Sequence, residues 1–96
     1  MIKSVDHIAV AVNKLDEAME VFERVLAIKP EKMKIVEQQK VKAALFRVGN
    51  TKIELIEPTD PESPAAKFLE KRGEGIHHIA LLVSGIEDHI EQLKSK

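Results

Sequence analysis

The sequence predicts an α+β fold, one βαβββ module followed by the first βα of a second. An internal repeat is the first sign. "VDHIAVAVNKLDEAMEVFERV" and "IHHIALLVSGIEDHIEQLKSK" align at an offset of seventy-one positions, setting His7 on His78, Ile8 on Ile79, Ala9 on Ala80, Val12 on Val83 and Glu20 on Glu91. Between the copies, period-2 alternation gives way to 3.6-residue periodicity and back, as strands and helices require. Gly49-Asn50 then joins two clear strand patterns as a two-residue hairpin turn. A supersecondary unit that recurs is the mark of a modular fold.

Residues 4–12 alternate as a strand, with Asp6, Ile8, Val10 and Val12 on one face and Val5, His7, Ala9 and Ala11 on the other. The first face suits a core. The second sets a histidine beside small alanines and leaves space above the sheet. Asn13 is placed to cap the following helix, with Asp16 reaching back as in a capping box. Leu15, Ala18, Met19, Phe22, Val25 and Leu26 form its buried stripe, and Pro30 ends it.

A weakly patterned strand follows over 33–39, then "VKAALFRV" and "TKIELIE". The turn between them pairs Val48 with Thr51, which sets Leu45 opposite Glu54 and Ala43 opposite Ile56. Glu54 therefore shares a face with Ala43 and Leu45. "EPTDPESP" reads as a loop, Ser63 and Pro64 start a short helix, and Gly73 ends it. In "IHHIALLV", alternation puts Ile76, His78, Ala80 and Leu82 on one face. Ser84 with Glu87 predicts a second capped helix with Ile86, Ile90 and Leu93 on its stripe. The expected organisation is a single domain over 1–96: a first module at 1–58, a linker with a short helix at 59–75, and the start of a second module at 76–96.

Composition narrows the function classes. With 15 basic and 16 acidic side chains the net charge is −1, so no field draws the chain to nucleic acid or a membrane surface. Aromatic content of 3% argues against a base-stacking surface. No cysteine is present, so any metal must be held by His, carboxylates or amides. The longest apolar runs fall far short of the ~20 residues that span a bilayer. "MIKSVDH" enters a strand pattern directly, and a cytoplasmic protein is expected.

His7 and His78 hold equivalent places in the repeat, each two residues before a small alanine, and Glu54 faces the same way from another strand. Two imidazoles and a carboxylate suit a divalent transition metal such as Co, Mn, Zn or Ni. A strand histidine satisfied by its neighbours is the competing reading, and spacing does not decide between them. His77 and His89 read as packing residues, and "EKMK" and "EKRGEG" as solvated charge.

"DHIAVAV", "IELIEP" and "SPAAKFLEKRGEGIHHIA" together resemble the methylmalonyl-CoA epimerase family of the vicinal oxygen chelate (glyoxalase/bleomycin resistance/dioxygenase) superfamily, over almost the whole chain. The resemblance implies paired βαβββ modules around a cleft holding a divalent metal ion. It matches His7, Glu54 and His78 to metal ligands, and implies an acyl-CoA thioester substrate epimerised by α-proton abstraction and enolate stabilisation. Three departures stand out. The family's last glutamate ligand lies on a strand beyond Lys96, a glutamate base of some relatives matches Ala43, and a usual glycine matches Ala27. A second module lacking its later strands would leave sheet edges open, so a homo-oligomer is expected. The alternatives are a glyoxalase-type lyase and a non-catalytic binding protein of the superfamily.

Overall fold

The computed structural model describes residues 1–84 and the backbone of residues 89–94. The elements run β1 (Ile2–Ala11), α1 (Leu15–Leu26), β2 (Lys32–Val36), β3 (Val41–Val48), β4 (Thr51–Pro58), α2 (Pro64–Arg72), β5 (Gly75–Val83) and β6 (His89–Lys94). The strands make one sheet in the order β2-β3-β4-β1-β5-β6. β1 pairs with β4 in parallel and with β5 antiparallel, so the first strand lies at the centre, between the two halves of the repeat.

Among the described residues, each sheet face carries one helix. On the α1 side, Val12, Leu15, Ala44, Phe46 and Leu55 are buried, with Ala18, Met19 and Phe22 packed on them. Phe22 meets Phe46 at 5.2 Å between ring centroids. Fully burying such a ring contributes about 1.5–3 kcal/mol. On the α2 side, Ala9, Ala11, Val41, Ala43, Ile56 and Ala65 form a second core under Phe68 and Leu69. The small side chains of Ala9 and Ala11 lie in this core, and α2 takes up part of the space expected on their face.

The hairpin register follows the turn chemistry, with Val48 opposite Thr51 and Leu45 opposite Glu54. Gly49 has φ +60°, the conformation a type II′ turn needs at its first central residue. Ser63 Oγ accepts from the Ala66 amide at 3.0 Å, and the Gly73 amide donates to the Leu69 carbonyl at 2.9 Å, closing both ends of α2. Beside the hairpin, Arg47 Nε donates to Glu31 Oε2 at 2.7 Å, which holds the Glu31 carboxyl below the usual carboxylate range.

Local reasoning fails in four places. The N-cap of α1 is Lys14 with no side-chain cap, in place of Asn13. The free Leu15 amide instead donates to Glu57 Oε1 on β4 at 2.7 Å, a tertiary contact that local sequence does not encode. Helix α1 stops at Ala27, which adopts a left-handed φ of +55°, three residues before Pro30. Strand β2 ends at Val36, and Glu37–Lys40 make the turn into β3.

The fourth is the segment after Ser84. A helix is expected there, yet residues 89–94 form β6, paired antiparallel with β5 from Val83↔His89 to His78↔Lys94. Residues 85–88, with most of the expected cap, lie outside the described residues. The outer edge of β5 offers unpaired N–H and C=O groups, and a strand satisfies them where a helix would not.

Candidate metal centre

Strand register sets where the candidate ligands meet. Glu54 on β4 and His78 on β5 both lie level with Ala9 of β1, one on each side. His7 precedes Ala9 by two residues on the same strand, so its ring rises from the same face. Ala9 is completely buried. Its single methyl group leaves room for three longer side chains to lean together over it.

They do so. One donor atom from each of His7, Glu54 and His78 falls within 4.8 Å of the others. The two imidazoles meet Nε2 to Nε2 at 3.3 Å, with ring planes at 82°. Two ligands bound to one ion at ~2.0–2.1 Å stand roughly 3.0–3.4 Å apart in octahedral or tetrahedral geometry, so this spacing fits a shared ion. The donor chemistry also fits: two imidazole nitrogens and one carboxylate oxygen suit a borderline divalent cation. His78 is 9% exposed, and the side chains of His7 and Glu54 are 19% and 16% exposed. Outside the triad, Lys34 Nζ stands 4.0 Å from Glu54 Oε2.

Two residues beside the triad escape an alternation argument. Asp6 Oδ2 lies 2.8 Å from His7 Nδ1, although neighbours in a regular strand point to opposite faces. The β1–β5 register explains it. Val5 pairs with Leu81 and His7 with Ala80, so Asp6 is an extra residue in a bulge. A second irregularity, between Ala9↔His78 and Val10↔Ile76, leaves His77 as the extra residue on β5. Its Nδ1 lies 2.9 Å from His78 Nδ1, and its ring stacks edge-on against Phe68 of α2 at 5.2 Å. The same irregularity puts Ile76 opposite Val10 and off the His78 face, where simple alternation had placed it. No pattern in the sequence announces either bulge.

The remaining candidates are placed as follows. Ala43 is 1% exposed inside the α2-side core, without a titratable atom. Among the basic residues, Lys42 pairs with Glu57 at 3.3 Å and Lys67 with Glu62 at 3.7 Å. A recess of about 240 Å³, lined by Val41, Ile56, Pro64, Ala65, His77 and His78, opens beside the triad. A larger groove of about 710 Å³ runs along α1 on the opposite sheet face, away from these ligands. No described helix is long and apolar enough to cross a membrane.

A mixed sheet built on a repeated strand, with two histidines and a carboxylate brought to one face, is the arrangement of a modular fold with a candidate metal site. Residues 6–96 match the Glyoxalase/Bleomycin resistance protein/Dioxygenase superfamily, and the chain belongs to it. Within it, the chain is 41% identical over 91 residues to the uncharacterized protein YqjC of Bacillus subtilis, covering 95% of this chain and 65% of that one. It is 35% identical over 95 residues to the ethylmalonyl-CoA/methylmalonyl-CoA epimerase of Cereibacter sphaeroides, covering 98% of this chain and 71% of that one. Among solved structures, methylmalonyl-CoA epimerase from Mycobacterium tuberculosis superimposes with a TM-score of 0.81 at 36% identity, covering 88% of this chain and 58% of that one. The Streptomyces coelicolor methylmalonyl-CoA epimerase, solved with 2-nitronate-propionyl-CoA, gives a TM-score of 0.83 at 29% identity, covering 90% and 64%. The chain therefore spans just under two thirds of YqjC and less of these solved neighbours.

Proposed function

We propose that this chain carries the divalent-metal site of a methylmalonyl-CoA epimerase, with His7, Glu54 and His78 as ligands. The observation that carries the reading is the convergence of these three side chains within 4.8 Å, in a chain similar to epimerases of that name. A divalent ion held by these residues would supply positive charge beside the thioester oxygen, where negative charge develops as the α-proton leaves. His7 and His78 present Nε2, Glu54 presents a carboxylate oxygen, and Ala9 keeps the space between them clear. The acyl group of a CoA thioester would lie in the recess beside His78.

Epimerisation also needs proton carriers on both sides of the α-carbon. Ala43 has no titratable atom, so the carriers would be other residues. The proposal includes self-association. β2 is one of the two outer strands of the sheet, with Met33 and Ile35 55% and 65% exposed. The buried, apolar Ala43 also favours one alternative, a member of the superfamily that binds a small ligand without turnover.

The test is α-proton exchange of methylmalonyl-CoA in deuterated water, with cobalt or manganese added or withheld. Metal-dependent loss of the α-proton signal is expected. Ligand binding that a chelator leaves unchanged, without exchange, would favour the binding protein.

A further inference from the structure

The metal reading leaves unexplained what fixes the two imidazoles, and the bulges supply an answer. Each proposed histidine ligand is held at Nδ1 by the residue immediately before it: Asp6 at 2.8 Å for His7, and His77 at 2.9 Å for His78. In both cases the holding residue is the one that the strand register leaves unopposed. A regular strand would turn Asp6 and His77 to the far face and leave each Nδ1 to other partners.

We infer that Asp6 and His77 are positioning residues, set by paired β-bulges to orient His7 and His78 and to fix which nitrogen each offers. The inference rests on the metal-site reading above. A carboxylate oxygen accepts, so the 2.8 Å contact with Asp6 favours the His7 tautomer with its proton on Nδ1, which leaves Nε2 to a ligand. At the His77–His78 contact one Nδ1 donates and the other accepts, and with His78 as the donor its Nε2 would be the ligating nitrogen. The two Nε2 atoms lie 3.3 Å apart, a hydrogen bond when one of them carries a proton. A cation held by both would require both Nε2 atoms to be deprotonated, the tautomer that a proton on each Nδ1 leaves. The two supports differ in kind. Asp6 offers a carboxylate oxygen, which would raise the ligand strength of His7, whereas His77 offers a ring nitrogen from an imidazole packed edge-on against Phe68.

The experiment pairs two readouts on the 96-residue chain. Long-range ¹H–¹⁵N spectra of the metal-free protein report each histidine tautomer, and competition with a chromophoric chelator reports zinc affinity. Wild type is expected to show His7 protonated at Nδ1. Asp6→Ala should move that proton towards Nε2 and lower zinc affinity by about 10–100-fold, with Asp6→Asn between. His77→Phe keeps an aromatic ring against Phe68 and should shift the His78 tautomer with a similar loss of affinity. Asp6 is part-exposed, so its truncation is not expected to unfold the chain. Unchanged tautomers and zinc affinity in folded Asp6→Ala and His77→Phe would overturn the inference. If wild type binds no zinc but the tautomers still shift, the metal reading falls and the orienting role stands.

Discussion

His7 and His78 stand seventy-one residues apart in the chain, yet their Nε2 atoms are 3.3 Å apart on adjacent strands. The internal repeat produces this meeting. Equivalent strands of the two copies pair antiparallel, so equivalent histidines approach each other across one strand boundary. Glu54 joins from the opposite side of β1, with Ala9 beneath all three side chains.

Glu54 tests the ligand set by substitution. Glu54→Gln keeps an oxygen donor and loses only its charge, whereas Glu54→Ala removes the donor. Zinc affinity from chelator competition is expected to fall less for Gln than for Ala. Equal losses would mean that Glu54 acts through charge alone, as its ion pair with Lys34 would allow.

Ala9 tests the space the site needs. Ala9→Leu inserts extra carbons into a fully buried position between Glu54 and His78. Overpacking of this kind costs about 1–3 kcal/mol, which urea denaturation would register as a lower midpoint. Zinc affinity should fall with it in the folded variant. Unchanged affinity would show that the side chains do not converge over Ala9.

Glu57 is expected to cap α1 from outside the helix. Glu57→Ala should destabilise the chain by about 1 kcal/mol, because the Leu15 amide loses its acceptor at the positive end of the helix. Asn13→Ala should change stability by no more than about 0.5 kcal/mol, as for a surface site without a special role. The reverse ranking would restore Asn13 as the cap.

Ala27 holds a left-handed conformation that costs an L-residue roughly 1–2 kcal/mol. Ala27→Gly is therefore expected to raise stability by about 1 kcal/mol, measured as a higher urea midpoint at unchanged slope. A fall in stability would show that the Ala27 methyl contributes packing that outweighs the strain.

The parts legible in the sequence were those governed by short-range rules. Gly49-Asn50 set the β3–β4 register and hence the face of Glu54, and Ser63, Pro64 and Gly73 marked both ends of α2. The repeat pointed to His7 and His78 together. What stayed hidden depended on contacts between distant segments. Glu57 caps α1 across forty-two residues, the open edge of β5 takes a strand over His89–Lys94 where the expected helix stripe would have placed Ile90 and Leu93, and two bulges redirect Asp6 and His77. A bulge inserts one residue without a composition signal, so alternation counts through it and misassigns the neighbour, as it did for Ile76.

Cobalt titration of the chain by calorimetry, beside His7→Ala and His78→Ala, tests the central claim most directly. One ion per chain in wild type, with affinity reduced more than about 100-fold in each folded variant, is the predicted result, since losing a ligand should exceed the loss of a supporting group. Wild-type affinity in either folded variant, or no uptake by wild type, would contradict a metal centre built from His7, Glu54 and His78.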